Sequence, residues 1–224
     1  MNFLSHYYFE RFSPHPERVL GGLLPDFLKN VNKQYNFQPQ RLEEAFYSSA
    51  GTTYILEGWY RHLEVDKLFH GSAFFLQHCH ILRKALVPIL ADLPIRPSFM
   101  AHIAVELLLD HLLIREGWIN PLRLYEQLEA VSPAALQRAL GILGTVDIPS
   151  FMKFYERFLS SRYVLQYVAM DSVAYALFQI CKRVWTFEFT DAHLKMLSEV
   201  LQVYVDAHKA EFLEIYPQLQ AKMS

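Results

Sequence analysis

The stretch from Phe99 to Ile114 constrains this chain most. Leu107, Leu108, Leu109, Leu112 and Leu113 leave almost no polar face, yet His102, Glu106, Asp110 and His111 sit among them. A run of this length and make-up reads as a helix wrapped by other elements. Its charged groups then need partners or a ligand, because an unpaired buried carboxylate is costly. Those same groups argue against a membrane span, where each would cost about 2.5–3.5 kcal/mol at the centre of the bilayer. A second apolar stretch, Tyr163 to Cys181, carries Gln166, Asp171 and Gln179 and reads the same way.

Elsewhere helical periodicity dominates and no convincing alternating strand occurs. The fold class expected is all-α, a multi-helix bundle forming one domain over residues 1–224. Helices are expected over Asn2–Phe12, Pro16–Lys29 with a break near Pro25, Arg41–Phe69 with an interruption near Gly51, and Ser72–Leu90 opened by a Ser72 cap. Pro97 suits a first helical position, and Gly117 the stop after Glu116. Shorter helices fit Pro121–Ala130 and Pro133–Leu143, followed by a connection over Gly144–Pro149. Ser150–Ser160, Arg162–Val184 and Asp191–Ile215 complete the series.

The formal charge of −2 gives no global attraction to nucleic acid. Cys79 and Cys181 form neither a disulfide framework nor a zinc spacing. The opening Met1-Asn2-Phe3-Leu4-Ser5-His6 has no basic region and no long apolar core of a signal peptide, so a cytoplasmic location is expected.

Ionisable residues fall at helical spacing. His62, Asp66 and His70 lie four apart, and so do His102, Glu106 and Asp110, with His111 about 100° further round its helix. Imidazole and carboxylate together suit manganese, iron, zinc or magnesium. The same residues read equally well as hydrogen-bonded pairs with no ligand. His-Glu-x-x-His, Glu-x-x-His, a Gly-rich phosphate loop and Gly-x-Ser-x-Gly are all missing, which removes support for zincins, di-iron bundles, phosphate-loop enzymes and serine hydrolases.

Taken in order, Met1-Asn2-Phe3-Leu4-Ser5-His6, Gly22-Leu23-Leu24-Pro25-Asp26-Phe27, His62-Leu63-Glu64-Val65-Asp66 and Asp110-His111-Leu112-Leu113 resemble the motifs of the acyl carrier protein phosphodiesterases. That family is similar to a rearranged branch of the His-Asp phosphohydrolase superfamily. The resemblance implies an all-α fold, a divalent metal cofactor (manganese first) and release of 4′-phosphopantetheine from holo acyl carrier protein. It implies His6, Asp26, His62 and Asp110 as metal ligands. Asp66 and His111 are implied in catalysis, His111 protonating the leaving alkoxide. Glu106 and His70 would be ligands of a second ion or partners that orient the imidazoles. An acidic carrier calls for basic side chains on the enzyme, and Arg83, Lys84 and Arg115 are expected there, with Arg96, Lys182 and Arg183 as further choices.

Three positions depart from the family pattern: Leu63 replaces an Arg, His70 an Asp and Glu106 an Asp. Loss of the Arg removes a bidentate phosphate contact. His70 in place of a carboxylate favours manganese, iron or zinc over magnesium. A helical binding protein that keeps the fold without the chemistry is the alternative.

Overall fold

The computed structural model describes residues 1–223, and no strand occurs among them. The helices are α1 (Phe3–Glu10), α2 (Pro16–Val31), α3 (Glu43–Phe46), α4 (Ala50–His70), α5 (Ala73–Leu86), α6 (Pro97–Arg115), α7 (Pro121–Glu129), α8 (Pro133–Leu143), α9 (Ile148–Ser161), α10 (Met170–Lys182) and α11 (Asp191–Gln220). Short 3₁₀ turns span Pro39–Arg41 and Tyr163–Val168.

Local chemistry sets most of the boundaries. The Ser72 hydroxyl accepts from the Phe75 amide at 3.1 Å and starts α5. Asn120, Ser132 and Asp147 cap α7, α8 and α9, each with a proline in the first turn. Thr190 and His193 form a reciprocal cap on α11. Gly117 at φ 69° and Gly144 at φ 75° end α6 and α8 in the left-handed region that glycine tolerates.

Three stretches differ from the sequence expectation. α2 continues through Pro25 without a break. Leu20, Leu23, Leu24, Phe27 and Leu28 are buried on both sides of the proline, and this packing outweighs the lost backbone bond. α11 likewise runs on through Pro217 to Gln220. The span Arg162–Val184 is not one helix: Arg162 adopts φ 47°, a 3₁₀ turn follows, and α10 begins at Met170. Tyr125 holds this turn by accepting the Val164 amide at 3.3 Å.

The chain forms two compact units, each discontinuous in sequence. One comprises Met1–Ser5, Lys67–Trp118 and Leu165–Ser224; the other comprises His6–Asp66 and Ile119–Val164. In the first, α6 is the central helix and packs on α5, α10 and α11. α6 is long and apolar enough to cross a membrane by length and composition, and here Met100, Ala101, Ala104, Val105 and Leu107 to Leu113 are buried by the helices around it. In the second, α2 packs on α7 and α9, and α3 on α8. There α2 and α4 meet backbone to backbone. A Cβ on Gly21 would lie 2.1 Å from the Ile55 carbonyl oxygen, and one on Gly58 2.0 Å from that of Arg18.

Candidate functional site

The α2–α4 contact positions the first cluster. His62, buried on α4, turns Nδ1 to the Gly22 carbonyl of α2 at 2.9 Å. A carbonyl can only accept, so Nδ1 carries a proton and Nε2 is the ring nitrogen left to face the cluster. That Nε2 lies 3.5 Å from Asp66 Oδ2, one turn along the helix. His6 of α1 stacks on His62 with ring centroids 3.9 Å apart, and its Nε2 is 3.3 Å from Asp66 Oδ1. One ligand atom from each of His6, His62 and Asp66 lies within 4.8 Å of the other two.

The electrostatics suit a cation. His6 is 2% exposed, and neither ring nitrogen has a hydrogen-bond partner. Burial first, and the neighbouring His62 second, pull its pKa down to about 3, so the ring is neutral at ordinary pH. Burial works against the charge of Asp66, but His6 and His62 outweigh it and hold the carboxyl well below the usual carboxylate range. A buried imidazole without partners costs about 1–3 kcal/mol. Two imidazoles and one carboxylate, one imidazole oriented through its other nitrogen by a carbonyl, are the donor set and the outer support a divalent ion takes.

Asp26 lies one turn beyond Gly22 on α2, half-buried, and is not one of these three ligand residues. Asp110 is built into different chemistry. Its Oδ1 accepts from the Ser5 amide at 2.8 Å and the Ser5 hydroxyl at 2.7 Å, and its Oδ2 from Asn2 at 2.8 Å and the Leu4 amide at 3.1 Å. It therefore caps the first turn of α1, whose free amides and dipole favour an anion. Burial pushes its carboxyl up to about 7, against hydrogen bonds from Ser5 and Leu4 that favour the charged form. Contrary to the sequence expectation, both oxygens are already occupied.

His111 is 1% exposed and donates Nδ1–H to the Tyr167 carbonyl at 2.8 Å. Burial lowers its pKa from the ordinary imidazole value, and Nε2 is buried with no hydrogen-bond partner among the described residues.

Glu106 and His70 do meet. His70 Nε2 lies 3.1 Å from Glu106 Oε1, and His102 Nε2 approaches the same oxygen at 3.2 Å. His102 was not chosen from the sequence, although its four-residue spacing to Glu106 was visible. Of the expected basic contacts, Arg83 and Lys84 are exposed near the end of α5 and have no ion-pair partner among the described residues. Arg115 is committed to Glu116 at 3.1 Å and Asp206 at 2.9 Å, which removes it as a free cation. Leu63, where the family carries Arg, is 37% exposed beside His62.

No curated protein and no solved structure gives a significant match. A family model described as acyl carrier protein phosphodiesterase matches residues 1–219, nearly the whole chain. The chain therefore belongs to the acyl carrier protein phosphodiesterase family.

Proposed function

We propose that this protein is a metal-dependent phosphodiester hydrolase that removes 4′-phosphopantetheine from holo acyl carrier protein, with the ion on His6, His62 and Asp66. The observation that carries the reading is His6: a buried, neutral imidazole with no hydrogen-bond partner, stacked beside a second imidazole and against an ionised carboxylate. Bound there, a divalent ion would offset the charge of the phosphodiester oxygens and lower the pKa of a water molecule. Manganese fits the mixed imidazole and carboxylate set.

The chain's own residues supply the rest. Gly22 fixes the tautomer of His62, so its lone pair is directed without rearrangement. Asp66 stays ionised at neutral pH and lowers the charge of the site by one unit. Asp26, one helical turn from Gly22, is the nearest carboxylate along α2 that could complete the set or take a proton from a bound water. Arg83 and Lys84 offer unpaired charge to an acidic carrier.

Isothermal titration of the chelator-treated protein with manganese tests the site. His6→Gln and Asp66→Asn should each weaken binding at least about tenfold, a change of about 1.4 kcal/mol, while the folded state persists by circular dichroism. Unchanged manganese affinity in both variants would place the ion elsewhere.

A further inference from the structure

The meeting of His70, His102 and Glu106 is not needed for the site just described. Glu106 lies in the middle of α6, His102 one turn before it, and His70 at the end of α4. Both Nε2 atoms converge on one oxygen, Oε1, at 3.1 and 3.2 Å, and one ligand atom from each of the three residues lies within 4.8 Å of the others. Ligands bound to one zinc at about 2.0–2.2 Å and separated by about 90–110° lie about 2.8–3.6 Å apart. The two Nε2–Oε1 spacings fall in that interval before any ion is added.

The one anionic donor at this point is Glu106. Burial works against ionisation of Glu106, but the Met1 amino group, His102 and His70 outweigh it and hold its carboxyl well below the usual range. The Met1 amino group stands 3.5 Å from the same Oε1, and an ion bound there would have to displace it or bind once it is deprotonated. The two imidazole rings tilt by 34° with centroids 5.3 Å apart, and Phe75 meets each of them edge-on. An aromatic wall of this kind limits how far either ring can swing.

The site is also open. His102 and Glu106 line a groove of about 500 Å³ whose other walls include Arg96, Phe99 and Trp185, the last two packed edge to face at 5.0 Å. Three protein ligands and an open side are the arrangement of an exchangeable metal site rather than a closed structural one.

We infer that His70, His102 and Glu106 form a second divalent-metal site, distinct from His6, His62 and Asp66, that takes imidazole-favouring ions such as zinc or cobalt and leaves free coordination positions facing the Arg96–Trp185 groove. Two imidazoles and a single carboxylate disfavour magnesium and calcium, which take oxygen ligands. Arg96 on the groove wall suits an anionic group as the exchangeable ligand.

The test is titration of the chelator-treated full chain with cobalt, followed by calorimetry and visible absorption, in wild type, His102→Ala and His62→Ala. Wild type should bind two ions, one for each cluster. His102→Ala should lose one ion and its absorption bands and keep the other, and His62→Ala should do the converse. His102 is half exposed, so its removal leaves the core intact; His102→Gln, closer in shape, serves if the alanine variant unfolds. Full retention of both ions in His102→Ala and His102→Gln overturns the inference, because Glu106 then only accepts two hydrogen bonds. If wild type binds one ion and loses it in His62→Ala alone, this second site falls while the hydrolase site stands. If an ion is lost in His102→Ala but none in His62→Ala, the second site stands and the first falls.

Discussion

At the scale of single residues, burial decides what an ionisable group can do. Asp110 and Asp66 are both carboxylates on helices, four residues from another ionisable group. Asp110 satisfies the open amides of α1; Asp66 faces two imidazoles. Removing Asp110 would strand the Leu4 and Ser5 amides in the interior. Asp110→Ala should therefore destabilise the metal-free protein by roughly 3 kcal/mol or more. Urea unfolding measures this, and a loss under about 1 kcal/mol would contradict the capping role.

Two buried imidazoles outside both clusters give a pH dependence. His78 is fully buried, with Nδ1 2.6 Å from the Tyr204 hydroxyl and Nε2 3.3 Å from Glu211. Burial lowers the pKa of His78 and of His111 below 6.5, even though Glu211 and the Tyr167 carbonyl pull the other way. The unfolded chain takes up these protons near 6.5 while the folded chain resists them. Stability is thus complete above that pH and is lost as pH falls, by at most about 1.4 kcal/mol per pH unit for each group. Asp110, its carboxyl raised to about 7, contributes in the opposite sense over the same range, so the comparison is between proteins: from about pH 7.5 to about pH 5.5 the urea midpoint of metal-free His78→Gln should fall less, or rise more, than that of wild type. Equal slopes in the two proteins would contradict the assignment.

At the scale of elements, the α2–α4 contact links fold to site. Gly21 has no room for a Cβ because the obstacle is backbone, the Ile55 carbonyl. Gly21→Ala should cost roughly 1–3 kcal/mol and, by shifting Gly22 away from His62, weaken metal binding as well. Gly141 has nothing within 4 Å of its ideal Cβ, so Gly141→Ala in α8 should instead stabilise by about 0.5–1 kcal/mol. Thermal melts and manganese titration of the two variants check both statements. Equal effects at the two positions would refute the close-approach argument.

These elements also show what the sequence could reveal. Ser72, Pro97, Gly117, Pro121 and Pro133 mark helix boundaries through bonds made within a few residues, and each was legible. The passage of α2 through Pro25 was not, because burial by distant helices decides it. The pairing of His62 with Asp66 follows from their spacing, and His70 with Glu106 from the family pattern alone. The capping by Asp110 was hidden, since its partner amide at Ser5 lies 105 residues away. His6 illustrates the same limit. Its value as a ligand depends on lacking a hydrogen-bond partner, which only the packed structure establishes.

At the scale of the whole molecule, the chain is an all-helical member of its family that brings His6, His62 and Asp66 together. Leu63 places a partly exposed apolar side chain beside His62 of the candidate ion site, and His70 and His102 both meet Glu106. Unpaired Arg83 and Lys84 leave positive charge available to an acidic carrier. The central claim is that the retained trio still supports phosphodiester hydrolysis. Mass spectrometry of holo acyl carrier protein incubated with the manganese-loaded protein tests it most directly. The expected result is conversion to the apo carrier with loss of the 4′-phosphopantetheine mass, abolished by chelator and by a folded His62→Ala variant. A carrier whose mass stays unchanged while manganese is bound, or turnover that persists in His62→Ala, would contradict the account.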